Sequence, residues 1–562
     1  MVMAHPVGRV VLLCCLCLGV VEGVQKPQLI SEVDTVSDAF KWVEHNFAVL
    51  ADWQGTGMLD RIGRAMDGLR VSSAFSGTGG SENVLDALAA GVQHFSPDFD
   101  GKRPSYSSEW CCEYFDESRY ELRMLRHRPK HVFGDMTDFL HLGFREDLRK
   151  QAPRMSWQGV ERLFTSQWRK LLTNRAPCDT CAGINSCATC EASRCHLHIA
   201  GSPCVAWSSR GKGGAATGET ALAFFCWIFQ RLLLEEDCVL HENVDTFEHT
   251  VLDRYLDAKY LLLSCIVNAA ALGQLAERPR RFTWMIHRRV VAAATGARAL
   301  GHRLPWHLAG TWSADFVRRF HRSLSDDCSW RDLFKLASED EIISEAEWAA
   351  NRIGSAGYGV AVSANTDFKT IFVDQEADFQ DKYAAAGHTH CAMSLMQDPH
   401  FMATSNLGKR RLHCIIKNNF PTFSDDHNRW MTPRETLSTN THVVFAALSQ
   451  LGETTSFLFD RRAFGFPPRL RHSMFEQAGD GMSLPSVGTC VLWLFTWYTH
   501  FREGSCHNAV MASSILSSLA EALRHRGPVP SSSAGPSEVS SDSRSHSDSP
   551  SSTRKSRKIC FS

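Results

Sequence analysis

The sequence predicts an α/β fold in which the strands of a doubly wound sheet alternate with helices that cover both of its faces. Two observations lead to this prediction. A short apolar strand breaks into a glycine-rich turn, F-S-G-T-G-G at residues 75–80, and an apolar pattern of helical spacing follows it. Apolar strands and helices then alternate between residues 198 and 267, an order typical of doubly wound sheets.

Composition and charge restrict the possible functions only loosely. The chain has 562 residues, which is enough for two folded lobes. Its net charge is −1 and its pI is about 7.1, so any nucleic-acid surface must be a local patch. Of the 20 cysteines, three (Cys14, Cys15 and Cys17) lie in the N-terminal leader, and most of the others are scattered singly through apolar segments. This pattern favours a reducing compartment over a disulfide framework.

The two ends of the chain carry possible targeting signals. Residues 1–24 combine Arg9 with the run V-V-L-L-C-C-L-C-L-G-V-V, which has the length of a signal-peptide core. The tail at 527–562 is rich in serine, is predicted to be disordered, and ends near the basic run R-K-S-R-K, a nuclear-import candidate. No other segment is apolar enough for a membrane helix, so we expect no stable membrane association of the mature chain.

The first half of the predicted sheet has the features of a nucleotide-like binding site. Apolar spacing within 25–70 predicts an N-terminal amphipathic segment that precedes the first strand. The glycines after that strand let backbone amides approach a ligand. Glu109 follows about 30 residues later, where a second strand would end and meet a ribose, and Trp110 could stack on an adenine. Asp135, at a third strand end, is an acceptor for an exocyclic amine.

A helical and cysteine-rich insertion is predicted at residues 143–196. It contains paired C-x-x-C steps formed by Cys178, Cys181, Cys187 and Cys190. Two residues between thiolates allow both to face one tetrahedral ion, which predicts a structural zinc site. Disulfide-linked or simply exposed cysteines are the alternatives.

Cys204 lies in I-A-G-S-P-C, directly after an apolar run and before a stretch loosened by four glycines. A thiol at the end of a buried strand, followed by a loop that can close, is a typical way to present a nucleophile. A buried structural cysteine is the commoner fate of a lone thiol. Glu242 ends a later strand, and Arg278 and Arg280 alternate on an extended segment that can direct both into one site.

These motifs resemble the C-5 cytosine-specific DNA methyltransferases over most of the chain, from Ser73 to Trp497. F-S-G-T-G-G resembles the family's cofactor turn, and P-C with W-S-S-R-G-K its catalytic loop. The remaining motifs follow in the family's order: E-W, G-D-M-T, E-N-V, R-P-R, W-M-T-P-R-E and Q-A-G-D-G-M-S-L-P-S-V-G. The resemblance implies a Rossmann-like sheet dependent on S-adenosylmethionine, with a catalytic domain at 71–289, a smaller target-recognition lobe at 290–429, and a return to the catalytic domain at 430–526.

The resemblance also implies roles for individual residues. Cys204 would add to C6 of a cytosine flipped out of duplex DNA, and Glu242 would act at N3. Arg280 would hold O2, while Arg278 would orient Glu242. The implied cofactor contacts are Phe75, Ser76, Gly77, Gly79, Gly80, Glu109, Trp110, Asp135, Met136, Pro203 and Leu222. The implied partner is double-stranded DNA, which predicts a nuclear location. The leader at 1–24 instead indicates an organelle or secretory route, and this alternative stays open.

Several positions depart from the family pattern. Ser202 and Val205 flank the nucleophile where the family has proline and glutamine, Ala276 replaces another glutamine, and Asp480-Gly481 replace Asn-Ser. Basic clusters within 288–411 could follow phosphates or could be ordinary solvated surface. Two alternatives to a DNA methyltransferase therefore stay open: an RNA or tRNA cytosine-5 methyltransferase, and a catalytically silent DNA-binding regulatory homologue.

Overall fold

A seven-stranded sheet organises the protein, and the N-terminal elements lead into it. The computed structural model describes residues 26–182, 189–204, 207, 218–290, 314–345, 410–415, 422–424, 429–448 and 481–502, with short pieces at 380–381, 384–385, 387, 392–393, 426–427, 451 and 478–479. The first elements are β1 (Glu32–Val33), α1 (Val36–Phe40), α2 (Trp42–Gln54), α3 (Gly57–Met66), β2 (Leu69–Ala74) and α4 (Gly80–Phe95). The amphipathic segment predicted before β2 is thus three helices, and Gly55 (φ +80°) separates the last two.

The rest of the chain completes the sheet and its covering helices. Next come β3 (Tyr106–Cys112), α5 (Asp116–Met124), β4 (His131–Phe133), α6 (Leu142–Gln151), α7 (Trp157–Leu171), β5 (Arg175–Pro177), α8 (Asp179–Ala182) and β6 (Thr189–Glu191). They are followed by β7 (Leu197–Gly201), α9 (Gly218–Leu234), β8 (Cys238–Val244), α10 (Thr250–Leu256), β9 (Tyr260–Asn268) and β10 (Pro279–His287). The C-terminal elements are β11 (Ser323–Leu324), β12 (Ala392–Met393), β13 (Phe423–Ser424), β14 (Arg429–Trp430), α11 (Pro433–Ser438) and α12 (Leu484–Arg502).

The strand order of the main sheet is β4-β3-β2-β7-β8-β10-β9. Five neighbouring strands run parallel, and β10 lies antiparallel between β8 and β9. The chain order reverses between β2 and β7, which is the switch point where doubly wound sheets bind their ligands. This topology confirms the predicted α/β fold with a Rossmann-like sheet.

Helices cover both faces of the sheet, as predicted. Successive residues of a strand point to opposite faces, so Leu240 and Trp284 enter one core while Val239 and Met285 enter the other. The first core is closed by α2, α3, α4 and α12, and the second by α7, α9 and α10. Trp284 donates its indole N–H to the carbonyl of Cys490 at 2.9 Å, which ties α12 to the centre of the sheet.

Part of the predicted organisation lies outside the described residues. This holds for the leader at 1–24, the tail at 527–562 and much of the predicted recognition lobe, of which a three-stranded antiparallel sheet, β12-β13-β14, is described. Among the residues that the structure describes, no helix has both the length and the apolar character needed to cross a bilayer.

The basic clusters considered as phosphate-tracking surfaces are, where described, engaged within the protein. Arg289 pairs with Asp237 at 2.6 Å. Arg322 is 4% exposed and donates to the carbonyls of Ile30 and Ala39. Guanidinium groups held in this way position chain segments against one another. These contacts favour a structural role for those clusters over contact with phosphates.

Two buried histidines make the stability of the fold sensitive to acid. Burial lowers the pKa of His241 from 6.5 to about 3, and burial together with the nearby Arg278 lowers that of His442 to about 4. The unfolded chain therefore binds protons that the folded chain excludes, so the stabilisation is complete above pH 6.5 and is lost as pH falls towards the folded values. We expect each histidine to cost about 2 kcal/mol at about pH 5. Urea unfolding at about pH 7.5 and about pH 5 measures the loss, and His442→Gln should reduce it; an unchanged loss would contradict the assignment.

Candidate active site

The carboxyl ends of β2, β7 and β8 meet at the switch point, and Gly201 marks where they converge. It pairs with Glu242 in the register of β7 and β8. A Cβ on Gly201 would lie 3.2 Å from Glu242 Oε2, 2.7 Å from Met482 Cε and 3.9 Å from the carbonyl oxygen of Phe75. The cofactor-like turn, the acid and the strand that leads to Cys204 therefore meet at one point, as the motifs predict.

Glu242 forms an ion pair with Arg280 at this point. The distance from Arg280 Nε to Glu242 Oε1 is 3.1 Å, and Glu242 is 8% exposed. Burial acts to lower the pKa of Arg280, but the nearby Cys414, Glu242 and Cys204 outweigh it and raise this pKa. The guanidinium therefore stays positively charged at the end of β8, at the edge of the sheet where β7 leads into the Cys204 loop.

Ser202 anchors the start of the Cys204 loop. Its hydroxyl lies 2.7 Å from His241 Nε2, and Asn243 Nδ2 donates to both the carbonyl and the hydroxyl oxygen of Ser202 at 3.0 Å. The carbonyl of Cys204 accepts from the N–H of Trp207, whose ring packs edge-on against Phe247. A serine where the family has proline thus provides a polar anchor, a function that the sequence analysis missed although E-N-V was recognised. Val205 lies outside the described residues.

The two arginines of R-P-R have different partners from those predicted. The family resemblance implies that Arg278 orients Glu242, but the ion pair with Glu242 that the structure records is made by Arg280. Arg278 is 3% exposed and donates to the carbonyls of Ile415 at 3.1 Å, Gly479 at 2.9 Å and Gly481. Arg280 reaches Glu242 because it lies within β10, opposite Val244 at the end of β8. Arg278 precedes the strand. Asp480, one of the departures from the family pattern, lies outside the described residues.

The glycine-rich turn has the strained backbone expected of a ligand-binding loop. Phe75, Gly77 and Gly79 have φ of +53°, +54° and +77°, values that favour glycine and strain Phe75. Gly79 also approaches Leu125 closely, since a Cβ there would lie 2.6 Å from Leu125 Cδ1. Ser76, Gly77 and Gly80 complete the turn, and α4 begins at Gly80 with its backbone N–H groups available to a ligand.

Glu109 and Trp110 are not at the end of the second strand, which corrects their predicted roles. β3 continues to Cys112, so both lie within it. Trp110 is 0% exposed and its indole N–H donates to the carbonyl of Ser193. The residue that follows the strand is Glu113, whose carboxylate accepts from the N–H of Gly77 at 2.8 Å. The run C-C-E-Y-F was the available signal, because an acid followed by aromatic residues directly ends an apolar run.

S-adenosylmethionine is the ligand that the family resemblance implies for this turn, and we expect Glu113→Gln to weaken its binding about 10-fold or more, because a hydrogen bond to a charged group contributes about 1.5–3 kcal/mol. Glu109→Gln is the matched control. Its carboxylate accepts from Lys130 Nζ at 2.8 Å, and Lys130, Ser107 and Arg70 hold its pKa below the usual value although burial acts to raise it. We expect that variant to bind the cofactor within about twofold of the unaltered chain. Calorimetric titration measures both, and a larger loss for Glu109→Gln would restore the original assignment.

Two of the other predicted cofactor residues lie near strand ends, and two lie in the core. Asp135 directly follows Gly134 at the end of β4 and is half-buried, with its carboxylate accepting from the N–H of Thr137 at 2.9 Å. Pro203 is half-buried in the Cys204 loop. The side chains of Met136 and Leu222 are 2% and 3% exposed and pack in the core. Leu222 is therefore a core residue of α9, and only the backbone of Met136 is suited to ligand contact.

Three of the four predicted zinc ligands lie together. The sulfur atoms of Cys178, Cys181 and Cys190 form a group with Nδ1 of His131, in which all four atoms lie within 4.8 Å of one another. Cys187 lies outside the described residues. His131 was missed because it precedes Cys178 by 47 residues, and no local spacing connects the two.

Comparison with known proteins gives only distant likenesses. No protein-family model matches the chain, and no curated protein matches it. Among solved structures it is similar to a DNA modification methyltransferase encoded within a prophage of E. coli, with 13% identity, a TM-score of 0.36 and coverage of 76% of this chain and 98% of the other. It is also similar to the S. pombe Dnmt2 methyltransferase, with 11% identity, a TM-score of 0.31 and the same coverage of 76% and 98%. At these TM-scores the likenesses decide nothing about the reaction.

Proposed function

We propose that this protein is a DNA (cytosine-5-)-methyltransferase that uses S-adenosylmethionine. One observation carries the proposal. The Glu242–Arg280 ion pair lies at the switch point of the sheet, where β7 leads into the loop that carries Cys204. A nucleophilic thiol, a carboxyl group and a fixed positive charge together match what addition to a cytosine ring requires.

Each of the three side chains has a defined task. Cys204 Sγ, as the thiolate, forms a bond to C6 of the cytosine, and the electron pair of the C5–C6 double bond moves into the ring. Glu242 holds a proton at N3, which limits the negative charge that develops there. Arg280 holds O2. N3 and O2 are neighbours on one edge of the ring, so an acid and a guanidinium 3.1 Å apart can contact both.

The bond to Cys204 makes C5 a carbon nucleophile. S-adenosylmethionine, when bound, supplies the methyl group that C5 receives. A base, for which we propose water, then removes the proton from C5, and the electron pair re-forms the C5–C6 double bond as the C6–Sγ bond breaks. Cys204 leaves as a thiolate and is ready for another cycle, stabilised by the charge of Arg280.

The first half of the sheet suits the proposed cofactor. Each oxygen of Glu113 already accepts one backbone N–H, and a carboxylate oxygen can accept a second donor such as a ribose hydroxyl. Tyr114 beside it is 64% exposed and presents a flat ring. At the start of α4, the buried polar atoms Ser81 Oγ, Glu82 Oε2 and Asn83 Nδ2 find no hydrogen-bond partner among the described residues. Donors and acceptors thus remain for a polar ligand at this turn.

The test is covalent trapping together with methyl transfer. The protein is incubated with labelled cofactor and a duplex that contains 5-fluorocytosine, whose fluorine blocks the release step. We expect a covalent protein–DNA complex that resists denaturation, and label transfer to unmodified duplex DNA. Transfer to tRNA but not to duplex would favour the RNA alternative. DNA binding that needs no cofactor and gives neither a covalent complex nor methyl transfer would favour the silent regulatory homologue. Each of these two outcomes would overturn the proposal.

A further inference from the structure

A second group of reactive side chains lies away from the Cys204 loop, where the cysteine-rich insertion meets the edge of the main sheet. Its members are His131, Cys178, Cys181 and Cys190. His131 is the first residue of the edge strand β4, Cys178 follows β5, Cys181 lies on α8 and Cys190 on β6. Three chain segments, namely β4, the C-D-T-C stretch and β6, therefore place one nitrogen and three sulfur atoms around a single point.

The spacing of these atoms fits a tetrahedral metal ion. His131 Nδ1 lies 3.7 Å from the sulfur atoms of both Cys178 and Cys181. Zinc binds sulfur at about 2.3 Å and imidazole nitrogen at about 2.0–2.1 Å, so ligand atoms around a tetrahedral zinc are separated by about 3.5–3.8 Å. A disulfide would require about 2.05 Å between two sulfur atoms, and all three cysteines are free thiols. One disulfide joins only two cysteines, so three cysteines cannot all be paired among themselves.

The surrounding structure holds the ligands in place independently of an ion. β5 and β6 form an antiparallel hairpin in which Ala176 pairs with Cys190. A bridge between Phe133 and Cys178 joins this hairpin to β4. Arg119 Nε donates to Asp179 Oδ2 at 2.6 Å, which fixes the start of α8 between the two cysteines of C-D-T-C. This preorganisation is typical of a built site, because the ligands need little rearrangement to bind.

We propose that His131, Cys178, Cys181 and Cys190 bind one structural Zn²⁺. Three thiolates and an imidazole suit zinc, whereas magnesium and calcium prefer oxygen ligands. Four protein ligands leave no open position, which is typical of a structural site rather than a catalytic one. The ion fastens the insertion to β4, the strand that ends just before Asp135. The proposal replaces Cys187 of the sequence-based ligand set with His131, and it does not depend on the proposed methyl transfer.

Metal analysis of the purified full-length chain tests the site. We expect about one zinc per chain in protein produced with zinc in the medium, released when a mercurial reagent modifies the thiols. His131→Ala and Cys181→Ser should reduce the zinc content at least several-fold. Cys187→Ser is the matched control and should retain the full amount, because it changes a neighbouring cysteine outside the proposed set.

A further variant keeps the test decisive if His131→Ala does not fold. His131→Cys supplies a fourth thiolate and should retain the ion. After substitution with Co²⁺, its thiolate-to-metal charge-transfer absorption should exceed that of the unaltered chain, since one more sulfur binds the metal. Absence of zinc from the unaltered chain would overturn the site. Loss of zinc in Cys187→Ser, or full retention in His131→Ala, would overturn the ligand set.

Discussion

Replacement of Cys204 by alanine should abolish both methyl transfer and covalent trapping on DNA, with a loss of turnover on the order of 10⁴-fold or more. In the proposed reaction Cys204 forms the bond to C6 on which both products depend. The loss should appear in turnover and not in cofactor affinity, because the side chain of Cys204 lies beyond β7 while the proposed glycine turn and Glu113 follow β2 and β3. Single-turnover transfer of labelled methyl groups, with a parallel cofactor titration, measures both quantities.

Cys414 provides a matched control for this result. Its sulfur atom lies 3.8 Å from Arg280 Nη2 and 3.9 Å from Arg278 Nη1, so it is a second thiol beside the arginines of the site. It does not lie on the P-C loop. We expect Cys414→Ala to retain the covalent complex. A complex that survives Cys204→Ala but disappears in Cys414→Ala would move the nucleophile to Cys414 and contradict the assignment.

The fold was predictable because its signals are local. Each signal involves residues that are close together in the sequence. They are the glycine turn between β2 and α4 and the alternation of apolar strands and helices from β7 to β9. The end of β3 was not predictable in the same way. Glu109 and Glu113 are both acids near apolar residues, and only the pairing of Cys112 with Ala74 and Phe133 on the neighbouring strands shows that β3 continues past Trp110. An error of four residues there moved the predicted ribose contact into the strand.

Long-range contacts explain the other differences. Arg278 and Arg280 are two residues apart in one motif, and nothing local distinguishes them. Their roles are set by partners far along the chain: Glu242 for one, and the carbonyls of Ile415, Gly479 and Gly481 for the other. The histidine of the proposed zinc site is hidden for the same reason. The sequence shows which residue types are present and in what order, whereas only the fold shows which of them contact one another.

Glu242→Gln should lower turnover by about 10²–10⁴-fold while cofactor affinity stays nearly unchanged. Glutamine preserves the shape of the side chain and its hydrogen-bonding reach, but it cannot hold an ionisable proton at N3. It also leaves Arg280 without the charge that faces it at 3.1 Å. Pre-steady-state methyl transfer and cofactor titration separate the two effects. An equal loss of cofactor affinity would contradict the role given to Glu242.

Variants of the two arginines extend this prediction, because Arg280 contacts Glu242 while Arg278 contacts backbone carbonyls. We expect the first to affect turnover and the second to affect stability. Arg280→Lys should reduce turnover about 10-fold or more with little change in the free energy of unfolding, since a lysine cannot hold O2 and Glu242 with the same planar geometry. Arg278→Lys should instead lower the free energy of unfolding by about 3 kcal/mol, because one ammonium group cannot replace a buried guanidinium that donates to three carbonyls. Urea unfolding and turnover are measured on both variants. If Arg278→Lys loses activity at full stability while Arg280→Lys loses stability at full activity, the assignments must be exchanged, and Arg278 rather than Arg280 orients the acid.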